Sequence, residues 1–427
     1  RIIRYDNRGA GASSVPKSAS AYRLACLADD FGAVIAALSP DEAVHVIAHD
    51  WGSSAIWEYL SRSVAADRVV SFTSISGPDP NHLSRFVRDG LKNPLRPRRF
   101  LHALAQVAHL SYMMTFSIPV LMPLAMRAFL ARAIRPVFFT AGIPPERVHY
   151  GDTYVADAAN GMNIYRANFF RSLFRAESDR RVAVPVQLIV NTADKFVRPY
   201  VYDETSRWVT RLWRRDIDAG HWSPMSHSQV VATAFTELAD HLAGRPPARQ
   251  LLRAQGGRAR KPFGDMLVSV TGAGSGIGRE TALAFARAGA ELVVSDLDEA
   301  TVKDTAARIA AHGGVAHSYV LDVSDAEAVE RFADEVCAAH GVPDVVVNNA
   351  GIGVAGAFLD TPAEQFDRVL DVNLGGVVNG CRAFARRLVD RGTGGHIVNV
   401  ASMAAYAPLS SLNAYCTSKA AVYMFSD

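Results

Sequence analysis

The segment HVIAHDWGSSAIW (45–57) places an aspartate at a turn between an apolar run and a helical pattern. Asp50 stands where a strand would end, and Gly52 and Ser53 leave room for a helix to begin. This pattern is typical of a nucleophile elbow, which holds one side chain exposed above a sheet. A carboxylate there is already ionised and can attack a saturated carbon, so the sequence predicts an alkyl-enzyme ester on Asp50.

A histidine and a second aspartate follow in positions that suit hydrolysis of such an ester. His221 comes just after a predicted strand in DIDAGHWSP, and Asp194 ends the preceding strand in VNTADKFV. The chain order of nucleophile, acid and histidine is the order that this elbow geometry requires. We therefore expect His221 to deprotonate water and Asp194 to orient the imidazole and stabilise its cation.

A second set of residues predicts a nucleotide site. In VSVTGAGSGIGRE, Gly272 permits a tight turn and Gly276 lets the backbone approach a pyrophosphate. Gly278 allows close packing of the helix on the strand, and Ile277, between Gly276 and Gly278, belongs to the same predicted site. Asp296 ends the next strand in LVVSD and is placed to accept hydrogen bonds from a ribose. A carboxylate there repels a 2′-phosphate, so we expect NAD rather than NADP.

Three residues near the end of the chain suit hydride chemistry. Tyr415 and Lys419 are four apart in ASMAAYAPLSSLNAYCTSK and so share one helix face, and Ser402 comes earlier at a strand end. Reduction of a ketone builds charge on its oxygen, which Tyr415 can protonate if Lys419 lowers its pKa. Ser402 would hydrogen-bond the same oxygen.

The elements that must position these residues form two α/β domains. Apolar runs alternate with helical stretches over residues 1–243, as a parallel sheet requires, and an insertion at about 80–180 is predicted to be a helical cap. Residues 244–265 are rich in Arg, Pro and Gly and predict a basic, solvated linker. The alternation restarts over 266–427 and predicts a doubly wound parallel sheet.

Composition limits the partners, metals and cellular compartment expected of the protein. The net charge of +3 argues against a nucleic-acid partner, and the four cysteines have no metal-ligand spacing, which favours a reducing cytoplasm and no metal. Residues 101–126 contain no Lys, Arg, Asp or Glu. Because Pro119 and Pro123 interrupt this segment, we expect an apolar pocket wall or a cap that contacts a membrane peripherally, rather than a spanning helix.

Residues 1–243 resemble the epoxide hydrolases of the α/β-hydrolase fold. DNRGAGASS is similar to their D-x-R-G-x-G-x-S segment, HDWG to their nucleophile elbow and GHW to their histidine turn. The resemblance implies that Tyr112, in SYMMTFSIP, and Tyr165, in NIYRAN, protonate the epoxide oxygen, with Tyr150 and Tyr154 as alternatives. It also implies that the backbone N–H of Trp51 supplies half of an oxyanion hole.

Haloalkane dehalogenases are the alternative family for this half, because they share HDWG and the same ester chemistry. Indole N–H groups hold the halide in that family, and Trp51 would suit such a role. A second halide donor cannot be placed in this sequence, whereas the tyrosine pair can. Epoxide opening is therefore the preferred interpretation.

Residues 266–427 resemble the short-chain dehydrogenase/reductase family. The motifs T-G-x-x-x-G-x-G, N-N-A-G and Y-x-x-x-K of that family correspond to TGAGSGIG, NNAG (348–351) and YCTSK. The resemblance implies that Asn373 takes part in a proton relay. It further implies that Asp322 and Val323 lie beside the adenine and that Asn349 lies near the cofactor ribose.

The order of hydrolase, linker and dehydrogenase resembles actinobacterial fusion proteins that join these two activities. We therefore expect a bifunctional enzyme acting on apolar or lipid-like epoxides, alcohols and ketones, with a homo-oligomer assembled through the dehydrogenase domain. A catalytically vestigial NAD-binding scaffold is the alternative. The resemblance also implies a His-Gly-x-Pro loop before Arg1 and a further strand and substrate loop after Asp427.

Overall fold

A computed structural model describes residues 1–134, 143, 146, 148, 150–174, 181–257 and 261–426. The chain divides into two compact units, Arg1–Gly257 and Arg258–Asp427. Each unit contains one parallel β-sheet, as the alternating sequence pattern predicts.

The first unit is built on a parallel sheet whose strands lie side by side in the order in which they occur in the chain. The strands are β1 (Val44–His49), β2 (Val69–Ile75), β3 (Val186–Asn191) and β4 (Leu212–Ile217). Every residue of β3 is buried, as expected of an interior parallel strand that is covered on both faces. Phe72 of β2 and Leu188 of β3 are fully buried in the main core.

Helices cover this sheet and form the cap. The helices of the unit run Leu24–Leu38, Asp50–Leu60, Ala65–Arg68, Pro80–Leu91, Pro97–His109, Tyr112–Phe116, Leu121–Ala125, Ala131–Ala133, Tyr154–Phe174, Ser223–Ser226, Ser228–Leu242 and Arg249–Ala254. The start of the helix Pro80–Leu91 shows how local sequence sets a helix boundary. Pro80 lies in its first turn, and Asp79 caps it by accepting a hydrogen bond from the Asn81 N–H at 2.7 Å.

The regular elements that the structure describes between β2 and β3 are all helices. Its longest helix, Tyr154–Phe174, packs against the shorter helices that precede it. Residues 135–142 and 175–180 of the predicted cap lie outside the described residues. Among the helices that are described, none alone has the length and apolar character to cross a bilayer, and only a pair bent by 81°, Pro97–Phe116 with Leu121–Ala133, meets that requirement.

The second unit is a doubly wound parallel sheet, which confirms the predicted fold class. The strands are β5 (Leu267–Thr271), β6 (Glu291–Asp296), β7 (Ala316–Val320), β8 (Val345–Asn348) and β9 (His396–Asn399), in the order β7-β6-β5-β8-β9. The helices run Gly276–Arg287, Glu299–Ala311, Ala326–His340, Ala363–Leu370, Gly376–Arg391 and Asn413–Phe425. The strand order reverses between β5 and β8, where such sheets bind their ligands.

The predicted solvated linker, residues 244–265, is wrong over its first part. Residues Arg249–Ala254 form a helix, and the fully buried Leu251 packs against Trp213 and Leu238. The Gly256 N–H then donates to the Leu212 carbonyl at 2.8 Å. The prediction relied on the average composition of the segment. It overlooked Leu251 and Ala254, two apolar residues that share one helix face and extend the first unit. Residues 258–260 of the predicted linker lie outside the described residues.

Replacing Gly77 should destabilise the first unit. A Cβ on Gly77 would lie 2.3 Å from the Asp50 carbonyl oxygen and 2.5 Å from the Ser53 Cβ, so Gly77→Ala must displace backbone. We expect a loss of about 1–3 kcal/mol in the free energy of unfolding. Urea unfolding followed by tryptophan fluorescence measures this unit alone, because all five tryptophans lie in it.

Gly161→Ala is the matched control for this measurement. Gly161 lies inside the helix Tyr154–Phe174, and a Cβ there meets no described heavy atom within 4 Å. The control should be neutral or stabilising, by up to about 1 kcal/mol. Equal stability of the two variants would contradict the close contact between Gly77 and the turn at Asp50.

Candidate active sites

Asp50 occupies a strained turn at the carboxyl end of β1. Its φ angle is +52°, a left-handed conformation that non-glycine residues rarely adopt. β1 ends at His49 and the next helix begins at Asp50, so the carboxylate lies at a helix N-terminus. Ser53 fixes the turn from below by donating a hydrogen bond to the Gly77 carbonyl at 2.7 Å. This is the elbow that the sequence predicts.

Asp194 and His221 form a buried hydrogen-bonded pair close to that elbow. The Asp194 Oδ2 lies 2.9 Å from the His221 Nδ1. The Asp194 Oδ1 accepts backbone N–H groups of Phe196 at 2.7 Å and Val197 at 3.1 Å. The other ring nitrogen of His221, Nε2, lies 3.9 Å from the Asp50 Oδ1. The three predicted residues therefore come together, with the imidazole between the two carboxylates.

Electrostatics favour a protonatable imidazole and an ionised Asp194. Burial alone would lower the pKa of His221, but the hydrogen bond to Asp194 and the charge of Asp50 outweigh it and raise that pKa. Burial alone would raise the pKa of Asp194, but hydrogen bonds from His221, Phe196 and Val197 outweigh it and lower that pKa. The pair is thus set to take up a proton on His221.

His49 is a site residue that the sequence analysis did not single out. Its Nε2 lies 2.9 Å from the His221 backbone carbonyl, to which it donates, and the two rings are 4.8 Å apart. Burial is the main cause that lowers the pKa of His49, which favours the neutral form of its ring. The available signal was its position directly before Asp50, at the end of a strand.

The two predicted cap tyrosines face each other above the elbow. Tyr112 begins the helix Tyr112–Phe116, and its ring centroid lies 6.0 Å from that of Tyr165. Tyr165 in turn packs edge-on against Trp51 at 5.3 Å. Burial is the main cause that raises the pKa of both tyrosines, and the charge of Asp50 raises both further. Both hydroxyl groups therefore remain protonated at neutral pH.

The two alternative tyrosines lie elsewhere in the cap. The Tyr154 hydroxyl donates to the Ala131 carbonyl at 2.9 Å, and its ring packs against Tyr150 at 4.6 Å. Tyr154 therefore holds two parts of the cap together. The choice of Tyr112 and Tyr165 as the tyrosines that act with Asp50 stays a prediction.

An apolar cavity of about 250 Å³ lies between the elbow and the cap. Asp50, Trp51 and Tyr112 contribute to its wall. Most of the remaining wall is hydrophobic and includes Leu83, Val87, Val107, Leu110, Met113 and Phe169. A cavity of this kind binds an apolar molecule and aligns it through a few polar groups.

The glycine turn of the second unit is shaped by close backbone contacts. Gly272 has a φ of +64°, and a Cβ on Gly278 would lie 2.1 Å from the Gly272 carbonyl oxygen. Asn349 holds this turn, because its Nδ2 donates to the Thr271 carbonyl at 2.9 Å and to the Gly272 carbonyl at 3.3 Å. The predicted contact of Asn349 with a ribose stays a prediction.

The same turn leaves space for a dinucleotide. Among the described residues, a Cβ on Gly276 would meet no heavy atom within 4 Å, and the next residue, Ile277, is exposed. The helix Gly276–Arg287 begins there and directs unpaired N–H groups toward the open side. The Asp296 carboxylate ends β6 and accepts the Gly274 N–H at 2.8 Å. These residues fit the pyrophosphate and ribose of NAD(P).

The predicted adenine neighbours lie at the end of the next strand. Asp322 accepts the Ser324 N–H at 2.9 Å and a hydrogen bond from the Arg368 guanidinium at 3.0 Å. Burial alone would raise the pKa of Asp322, but these contacts outweigh it and lower that pKa. Val323 is buried and borders Gly376, where an added Cβ would lie 2.6 Å from it.

Tyr415 and Lys419 share one helix face, as predicted. The Lys419 Nζ lies 5.8 Å from the Tyr415 ring centroid and donates to the Val400 carbonyl at 2.7 Å. Burial lowers the pKa of Lys419. Ser402 uses its hydroxyl to cap the short helix Met403–Ala405, and within the described residues it forms no hydrogen bond with Tyr415.

Asn373 is fully buried next to this helix. Its Oδ1 accepts a hydrogen bond from the Ile352 N–H at 2.7 Å, and its Nδ2 donates one to the Ile352 carbonyl at 2.9 Å. It also donates to the Ser418 hydroxyl at 2.9 Å. It therefore ties the helix that carries Tyr415 to the loop after β8.

Fold and sites define two classes of enzyme within one chain. Residues 1–228 match the family model described as alpha/beta hydrolase fold, and residues 266–427 match that described as short chain dehydrogenase. The chain therefore belongs to the α/β-hydrolase-fold proteins that carry a short-chain dehydrogenase domain, which confirms the order predicted from sequence. Short-chain dehydrogenases are NAD(P)-dependent oxidoreductases, and the second unit is one of them.

Some curated relatives match the whole chain, and others match only a part of it. The "Probable oxidoreductase EphD" of Mycobacterium tuberculosis is 66% identical over 430 residues, which cover 100% of this chain and 73% of that protein. The protein of the same name from Mycobacterium bovis matches to the same extent. A "C alpha-dehydrogenase" from a Sphingobium species is 38% identical over 162 residues, covering 38% of this chain and 53% of that relative.

The protonation of His221 should depend on Asp194. In the native protein His221 should titrate above the ordinary histidine value of about 6.5. A pKa raised by folding adds stability at low pH, and this stability is lost as pH rises through the folded value. In Asp194→Asn, which keeps an oxygen for the Phe196 and Val197 N–H groups, we expect the His221 midpoint to fall by about one unit or more.

Histidine ¹⁵N NMR across the pH range measures this midpoint directly. Asp203→Asn is the control, because Asp203 is an exposed carboxylate paired with Arg214. That variant should leave the midpoint unchanged. An unaltered His221 titration in Asp194→Asn would refute the assigned cause of the raised pKa.

Proposed function

We propose that the first unit hydrolyses apolar epoxides to vicinal diols through an ester on Asp50. The observation that supports this most is the meeting of three kinds of group at the elbow, beside an apolar cavity whose wall includes Asp50 and Tyr112. These are a carboxylate at an elbow, a histidine 3.9 Å from that carboxylate, and two protonated tyrosines opposite it. A nucleophile, a base and an acid are thus available on separate residues.

In the first step, an oxygen of Asp50 attacks one epoxide carbon and displaces the ring oxygen. The breaking C–O bond leaves its electron pair on that oxygen, which takes a proton from Tyr112 or Tyr165. Burial suits the two tyrosines for this task, because it keeps their protons in place until an alkoxide forms nearby. The product of the step is a hydroxyalkyl ester of Asp50.

In the second step, His221 takes a proton from water, and the resulting hydroxide attacks the ester carbonyl carbon of Asp50. The tetrahedral oxyanion lies at the N-terminus of the helix Asp50–Leu60, where the Trp51 N–H has no intrahelical partner. Asp194 stabilises the imidazolium. Collapse expels the diol oxygen, which is protonated by His221. The second proton of the attacking water then passes from the Asp50 carboxyl group to the phenolate of Tyr112 or Tyr165, which restores both the carboxylate and the tyrosine.

Blocking the second step should trap the first. In His221→Gln no base activates water, so exposure to an aryl or alkyl epoxide should add one equivalent of epoxide mass to the full chain. Peptide mapping should place the adduct on Asp50. The control Asp50→Asn, His221→Gln should gain no mass at this peptide, since its amide is not a nucleophile.

The outcomes of this experiment separate the candidate reactions. Absence of an adduct with chemically varied epoxides would overturn the proposal. An adduct formed with haloalkanes but with no epoxide would assign the unit to dehalogenation instead.

We further propose that the second unit uses NAD to interconvert an apolar alcohol and a ketone. The cofactor, when bound, supplies the hydride acceptor or donor. Tyr415 gives a proton to the ketone oxygen or takes one from the alcohol, and the Lys419 cation favours the phenolate form that results. Ser402 binds the same oxygen, and Asn373 holds the helix of Tyr415 in position.

The choice of NAD rests on Asp296. Asp296→Ala should weaken NAD binding about tenfold, since two hydrogen bonds to ribose hydroxyls are lost. The same variant should bind NADP more tightly than the native protein does, because a carboxylate no longer repels the phosphate. Calorimetric titration with both nucleotides measures these changes without turnover.

Asp334→Ala is the control, because it removes an exposed carboxylate bound to Arg387 on another face. It should leave both affinities unchanged. Native protein that binds NADP as tightly as NAD would rule out the assigned specificity.

A further inference from the structure

The segment of the cap between Pro97 and Ala133 exposes several large apolar side chains. We call this surface the cap face and define it by Leu101, Met114, Val120, Leu121, Leu124 and Phe129, each more than half exposed. Five of them lie in helices between Pro97 and Ala133, and Val120 directly precedes the helix Leu121–Ala125. Single exposed apolar residues are normal in proteins, but a continuous set on neighbouring helices marks a surface that contacts something apolar.

The opposite side of the same segment already has its packing partner. Met113, Met122 and Met126 are buried, and the last two pack against Ala159 and Met162 of the helix Tyr154–Phe174. The segment is therefore amphipathic in place, with one side in the cap interior and the other left outside. The bend of 81° between its helices does not suit a single straight span, whereas helices that lie flat on a membrane use just such an arrangement.

Charges border the cap face in a pattern that indicates its partner. Residues 101–126 contain no charged Lys, Arg, Asp or Glu side chain. Exposed arginines flank them, Arg96 and Arg98 before and Arg127 and Arg132 after. None of these four arginines has an acidic partner in the part of the chain that the structure describes. An apolar centre with a rim of unpaired arginines is complementary to acyl chains below anionic headgroups.

The cavity above Asp50 opens at this side of the cap. Val107, Ser111 and Met114 line the cavity and are also exposed, so they form part of its mouth. Met114 belongs both to the mouth and to the cap face. A molecule that enters the cavity past these residues would pass directly from the apolar cap face into the apolar cavity.

We propose that the cap face docks into the interfacial layer of an anionic lipid bilayer. The six apolar side chains enter the acyl region, and the flanking arginines bind lipid phosphates. This orientation places the cavity mouth at the bilayer. An apolar epoxide then reaches Asp50 from the lipid without crossing water. This last consequence rests on the proposed function, whereas the docking itself does not.

Co-sedimentation of the full chain with lipid vesicles tests the docking. The native protein should bind vesicles of phosphatidylglycerol and phosphatidylcholine in equal parts, and bind pure phosphatidylcholine vesicles more weakly. Leu121→Asp with Leu124→Asp should lower the partition coefficient for the mixed vesicles at least about tenfold, because two apolar side chains no longer insert. Arg127→Glu with Arg132→Glu should lower it by about tenfold and reduce its dependence on salt.

Val389→Asp is the control, because it replaces an exposed apolar residue of the second unit by an aspartate. It should bind like the native protein. Urea unfolding followed by tryptophan fluorescence should show that each cap variant keeps a folded first unit. No turnover is measured, so a failure of epoxide hydrolysis leaves this result unaffected.

Three outcomes would overturn the docking. The native protein would not bind anionic vesicles, or the leucine variant would bind as the native protein does. Alternatively, vesicle binding would be absent while sedimentation equilibrium shows a dimer that the leucine variant dissociates. That last result would assign the cap face to contact between two copies of this chain.

Discussion

Both sites depend on the same backbone constraint, a left-handed turn that joins the carboxyl end of a parallel strand to a helix. In the first unit the turn residue is Asp50, with φ +52°, and in the second the turn contains Gly272 and Gly276, with φ +64° and +52°. The glycines adopt this conformation freely, whereas Asp50 is held in it by contacts such as that with Gly77. Each turn aims a helix N-terminus at negative charge, on the protein's own carboxylate in one unit and on a ligand in the other.

Burial and hydrogen bonding divide the titratable groups of the first site into distinct roles. Burial keeps the protons on Tyr112 and Tyr165, because the hydrogen bonds that Tyr165 receives from Trp51 and Tyr112 do not outweigh it. At Asp194 the hydrogen bonds from an imidazole and two backbone N–H groups outweigh burial and lower the pKa of the carboxyl group. His221 gains its affinity for protons from that carboxylate. One apolar environment thus suits the acid, base and counter-ion of the proposed reaction, because the hydrogen bonds differ.

Local motifs could be predicted from sequence, because turn, strand end and helix start are encoded within a few residues. The elbow at Asp50, the glycine turn and the shared face of Tyr415 and Lys419 are of this kind, and chain order sufficed to pair Asp194 with His221. Contacts made across the fold could not be predicted. The bond from His49 to the His221 carbonyl and the packing of Leu251 on Trp213 depend on strands and helices far apart in sequence.

The cap is inserted between β2 and β3, while Asp50 follows β1, Asp194 follows β3 and His221 follows β4. On the proposed roles, the sheet supplies the machinery that forms and cleaves an ester, and the insertion alone supplies the proton for the leaving oxygen. The two contributions can therefore diverge separately in evolution. A descendant that exchanged only the insertion would keep a working nucleophile and base, and would acquire a new leaving group and a new substrate in a single event.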